Sequence, residues 1–172
     1  MSSAGIIGGA VVILGGAAVL YAVLSGEASG PDAQPPTIPA ITPTANEQGL
    51  AKAIAFAEGF WDVNSNPLSS SIPYRANNPG DLVIPGWPGN TLGAGIAVLS
   101  SMADGWNRLY YQLALIVSGN SENFSLNDTI LGMAETWTDT DPEDWAANVI
   151  YFANLNYGLS LTVNTPLSQV IP

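Results

Sequence analysis

The chain has no cysteine and no histidine, and only three Lys and Arg residues stand against 14 Asp and Glu, a formal charge of −11. Each absence removes a class of chemistry. Without cysteine there is no disulfide framework and no thiol nucleophile. Without histidine the Ser-His and Cys-His relays and the usual zinc sites fall away, so no metal and no cofactor is expected. Lys52, Arg75 and Arg108 are the whole complement of basic side chains. They are too few to neutralise a phosphate backbone, and nucleic acid is not expected as a partner. Carboxylates and tyrosines remain for acid–base work.

Residues 4–24 carry no charge and run Gly-Ile-Ile-Gly-Gly-Ala-Val-Val-Ile-Leu-Gly-Gly-Ala-Ala-Val-Leu-Tyr-Ala-Val-Leu after Ala4. About 20 apolar residues at 1.5 Å each match the roughly 30 Å hydrocarbon core of a bilayer. The expectation is a single transmembrane anchor, residues 1–25, with Tyr21 suited to an interface. A secretory signal ending near Gly26 and Ala28 is the alternative, although the basic n-region is missing. Residues 26–44 form a linker, because Pro31, Pro35, Pro36, Pro39 and Pro43 favour extended chain over helix. At about 3.1 Å per residue it would hold a domain some tens of Å from the membrane.

Residues 45–172 read as one α+β domain, mostly helical with one small β-hairpin. Thr44 with Glu47 is a capping box for a helix reaching about Trp61, with Gly59 helping to end it. Asn64 to Ser71 reads as a flexible polar loop. Leu82-Val83-Ile84 and Gly95 to Leu99 read as the two strands, joined by the turn-rich Pro85 to Asn90. Ser101 caps a helix over 102–117 whose stripe is Trp106, Leu109, Tyr110, Leu113, Ile116 and Val117. A further helix follows Ser125, with Ile130, Met133, Ala134 and Trp137 inward. Asp141-Pro142-Glu143-Asp144 opens the next as N-cap, N1 proline and first-turn acids. Its buried face runs through Val149, Phe152 and Ala153 to Gly158, and Thr165-Pro166 starts a last short turn.

The stretch from Ala53 to Leu82 holds the candidate chemistry. At about 100° per residue from Leu50, Ile54 and Trp61 fall near 40° and 20° and Glu58 near 80°. Glu58 therefore sits on the flank of the apolar stripe. Partial desolvation there favours the neutral acid, and moving a Glu from about 4.3 to about 6 costs the ionised form roughly 2.3 kcal/mol. Such an acid can protonate a leaving oxygen near neutrality. A half-solvated helix-terminal Glu is the plain structural alternative.

Glu58-Gly59-Phe60 followed by Arg75-Ala76-Asn77-Asn78-Pro79-Gly80-Asp81-Leu82 resembles phage and bacterial lysozyme-like proteins. These are lytic transglycosylases or muramidases that cut the glycan strands of peptidoglycan, often as virion-associated enzymes. The resemblance covers roughly residues 47–171, including Ile96 to Gly105 and the helix that follows, Trp137, Asp141-Pro142, Tyr157-Gly158 and Thr165-Pro166-Leu167. It implies a lysozyme-like fold, Glu58 as general acid, and peptidoglycan strands and virion proteins as partners. With the apolar run of residues 4–24 as the anchor, the expectation is a single-pass protein of a virion membrane or bacterial inner membrane, its domain outside the bilayer. Asp81 stands where the pattern often has Asn, and is either a second catalytic carboxylate or a ligand of the turn's own amides. Asn77 and Asn78 are either amide donors to substrate or turn residues. Trp87 either stacks on a sugar or caps the core, and Tyr151 is either a cleft or a core tyrosine. Glu135 is a further acid that either faces the cleft or is solvated. The acid balance runs against the basic character of many wall hydrolases. The rival function is a catalytically inactive, structural or wall-binding membrane protein of a virion that retains the fold.

Overall fold

The computed structural model describes residues 37–85, 87 and 89–172, together with the backbone of Ala18 and Val19. The transmembrane expectation for residues 4–24 lies outside the described residues, apart from those two. Among the described residues no helix is long and apolar enough to cross a membrane.

The elements in order are β1 (Ala18–Val19), α1 (Ala45–Ala57), α2 (Ile72–Arg75), β2 (Leu82–Val83), β3 (Thr91–Leu92), β4 (Ile96–Ala97), α3 (Met102–Val117), α4 (Ile130–Trp137) and α5 (Pro142–Tyr157). A 3-10 turn over Leu167–Gln169 follows. The class is α+β: helices with very small sheets.

Helix α1 starts on the capping box read from its sequence. Thr44 Oγ1 accepts from the Glu47 amide at 3.2 Å, and Glu47 Oε2 accepts from the Thr44 amide at 2.6 Å. Seven of its residues are buried: Gly49, Leu50, Ala51, Ala53, Ile54, Ala55 and Ala57. Their small size lets α5 lie close and antiparallel, so that Gly49 meets the Tyr157 ring and Phe56 stacks on Phe152 at 4.6 Å. Helix α3 has the bounds its sequence predicts, with Ser101 accepting from the Asp104 amide at 3.1 Å and Gly119 closing it at φ +70°. Helix α4 buries Ile130, Met133, Ala134 and Trp137 as expected, capped by Thr129. Asp141 does precede α5, but its backbone is left-handed (φ 49°) and its side chain makes no cap bond. The core joins Leu50, Ile54, Leu109, Leu113, Ile116, Met133, Trp137 and Phe152, each fully buried.

One local expectation is corrected and two gain detail. The hairpin is not Leu82-Val83-Ile84 against 95–99. It is β3 against β4, antiparallel, with Thr91 opposite Ala97 and Leu92 opposite Ile96, while β2 pairs in parallel with β1. The segment from Asn64 to Ser71 is a solvent-exposed loop, as expected, and it carries its own hydrogen bonds. Asp62 Oδ1 accepts from the amides of Asn64 and Asn66 at 2.9 Å each, Trp61 and Pro67 form a bridge, and α2 follows from Ser71. The stripe of α3 also buries two polar side chains, Arg108 and Gln112.

The end of the linker belongs to the folded body. The Asn107 side chain on α3 accepts from the Ile41 amide at 2.8 Å and donates to the Pro39 carbonyl at 3.0 Å.

Candidate active site

Glu58 is placed by a helix ending. Helix α1 stops at Ala57, earlier than the sequence suggests, and Glu58 is its C-cap. Gly59 takes φ +76°, its amide bonds Phe56 O at 2.9 Å, and the Phe60 amide bonds Ala55 O at 2.8 Å. This paired closure needs a left-handed residue just past the cap, the conformation glycine adopts without steric cost. It points the Glu58 side chain inward, with 3% of the residue's surface exposed. The flank angle anticipates partial burial, and α5 supplies the rest. Trp145 Nε1 donates to Glu58 Oε1 at 2.7 Å. Trp137 from α4 stacks on Trp145 with ring centres 5.8 Å apart. Glu58 Oε2 and Trp137 Nε1 are buried without a bond of full geometry.

Asp81 arrives from the other side. The turn from Ala76 to Asp81 is locked by amide-to-carbonyl bonds Asn77 to Tyr74, Asn78 to Pro73 and Asp81 to Asn78, at 2.9–3.1 Å. Asp81 is left-handed (φ 49°) and 3% exposed, and its Oδ1 has no partner. The turn seats on α3, where a Cβ at Gly105 would overlap the Asn77 carbonyl and Pro79 Cδ.

The two carboxyls share one buried neighbourhood. Burial raises the Glu58 pKa well above the ordinary value, and the nearby Asp81 charge raises it further. The Trp145 and Trp137 N–H groups pull the other way, because they stabilise the anion. Burial alone lifts Asp81 to about 7. Burial thus favours the protonated form of Glu58, and near neutrality Asp81 is close to its own midpoint.

The other sequence-predicted residues divide. Asn78 is fully buried, and its amide is spent on backbone: Nδ2 donates to Leu82 O at 2.9 Å and Ala97 O at 3.0 Å, while Oδ1 accepts from the Leu82 amide at 3.0 Å. Both of its donors stitch β2 to β4, the turn role that the sequence also offers for it. Asn77 is half-buried, left-handed (φ 53°), and donates to Leu99 O at 3.2 Å. Trp87 is half-buried, bonded to Asn90 O at 3.1 Å, and lies on the Arg108 guanidinium at 5.4 Å. Tyr151 is 50% exposed beside Phe56 on the outer side of α5. It stands six residues from Trp145, about 9 Å along the axis. Glu135 is exposed. Of these residues, the fold brings Glu58 and Asp81 into one buried neighbourhood.

Sequence reasoning missed Trp145. The signal was present: the buried face at 149, 152 and 153 extends back by four residues to 145, in the first turn of the predicted helix. Among the described residues, no group of three or more acids could hold a metal ion. Comparison with models of protein families, with curated proteins and with solved structures finds no match to this chain.

Proposed function

We propose that this chain cleaves the glycan strands of peptidoglycan by general acid catalysis from Glu58, as a lytic transglycosylase or muramidase tethered to a membrane through residues 4–24. A virion or lysis apparatus is the setting the motif likeness suggests. The observation that carries the reading is the buried Glu58 carboxyl, one oxygen held by Trp145 and the other without a hydrogen bond of full geometry, in surroundings that favour the neutral acid. Neutral Glu58 would give its proton to the glycosidic oxygen as the bond from the sugar's anomeric carbon to that oxygen breaks. The resulting carboxylate would then take a proton from water, or from the sugar's own 6-hydroxyl, as that oxygen bonds the anomeric carbon. Asp81 would steady positive charge on the sugar only in its ionised fraction, which is minor below about 7.

The second reading is a lysozyme-like structural or wall-binding protein without turnover. The 3% exposure of Glu58 favours it, because a polysaccharide needs an open path to the acid. Digestion of purified wall by the full chain separates the two. Under the first reading, soluble muropeptides appear and Glu58→Gln reduces their release by about a hundredfold or more. Release that is absent, or unaffected by Glu58→Gln, rejects it. Mass analysis of the products tells water attack from anhydro formation.

A further inference from the structure

We propose that Trp145 is a positioning residue for Glu58, fixing which carboxyl oxygen carries the proton. This rests on the acid role of Glu58 for its functional meaning, but the proton placement stands on geometry alone. An indole nitrogen only donates. Its N–H meets Oε1 at 2.7 Å, short for a nitrogen donor. A protonated Oε1 directed at that N–H would set hydrogen against hydrogen, whereas a carbonyl Oε1 accepts well. The neutral acid is thereby held with C=O at Oε1 and O–H at Oε2, which is buried without a hydrogen bond of full geometry.

The donor is itself rigid. Trp145 is 4% exposed, its amide bonds Asp141 O at 3.0 Å in the first turn of α5, and its ring stacks on Trp137. The groups facing the Glu58 carboxyl are then Trp145 from α5, Trp137 from α4 and Asp81 from the turn before β2. Trp145 is the one that makes a bond of full geometry to it. Because its N–H also favours the anion, it opposes burial and Asp81 and leaves the acid able to release its proton.

Three readouts test this on the full chain. Infrared difference spectra of the protein with and without Glu58→Gln assign the buried acid's C=O band. In Trp145→Phe, which keeps an aromatic ring and removes the N–H, that band moves to higher frequency and Glu58 titrates at higher pH. In the unsubstituted chain, the Trp145 indole proton resonance shifts as Glu58 titrates, and this shift vanishes in Glu58→Gln. If wall cleavage is present, Trp145→Phe lowers kcat by about tenfold to a hundredfold with little change in KM. An unmoved C=O band, or an indole resonance indifferent to Glu58 ionisation, overturns the proposal, and the resonance needs no folded variant of Trp145. A chain that shows both signatures but digests no wall refutes the enzymatic reading and leaves the proton placement intact.

Discussion

At the residue scale, Asp81 makes the fold sensitive to pH. Burial raises its pKa from 3.8 to about 7. Between those values the folded chain holds a proton that the unfolded chain has released. Stability is therefore fully present below about pH 4 and is lost as pH rises through 7, by roughly 4 kcal/mol for a shift of about three units. Glu58 acts in the same direction. Asp81→Asn should remove Asp81's share of this slope, and its left-handed backbone suits asparagine. Urea unfolding at about pH 5 and pH 8 checks it: the gap between the two midpoints should narrow in the variant. Asn78 is the other decisive residue. Asn78→Ala leaves the Leu82 amide and the Leu82 and Ala97 carbonyls without their bonds. A loss of about 3 kcal/mol or more is expected, read as a lower urea midpoint with an unchanged slope.

At the element scale, the site is a junction of a helix ending, a turn and a helix beginning. Gly105 governs how the turn meets α3, and Gly105→Ala would force the Asn77 carbonyl and Pro79 away. The expected loss is on the order of 4 kcal/mol, since backbone must move, and thermal unfolding would show it. The elements legible in the sequence are those with local signals. Thr44 and Glu47, Ser101 and Gly119, and the 3.6-residue stripes of α3, α4 and α5 each announce themselves within a few residues. The hairpin was misplaced although its turn is local, with Gly93 and Gly95 at positive φ joining Thr91–Leu92 to Ile96–Ala97, while what joins β2 to β4 is the Asn78 side chain, bonding across 19 residues to Ala97. The Glu58 contact with Trp145 spans 87 residues and has no local pattern at all. Angle arithmetic could place Glu58 beside the core of its own helix. It could not supply the helix that closes over it.

At the scale of the whole molecule, charge dominates. Of the three basic side chains, Arg108 is buried beside Asp104 and under Trp87, Lys52 lies over the Tyr157 ring, and Arg75 alone is exposed. The surface left for an anionic polymer is almost wholly acidic, so association with it is repulsive at long range. Binding to purified wall should therefore strengthen from about 0.01 M to 0.15 M salt as the Debye length falls from about 30 Å to 8 Å. Pull-down across that range measures it, and weakening with salt would contradict it. The Asn107 clasp has a mechanical outcome. Pro39 to Thr44 would otherwise serve as spacer, and six extended residues contribute roughly 19 Å. Held to α3 at Pro39 and Ile41, they would subtract that length from the proposed tether and fix where the described chain leaves the body. A longer radius of action, gained by freeing the clasp with Asn107→Ala, would come at the expense of a defined heading.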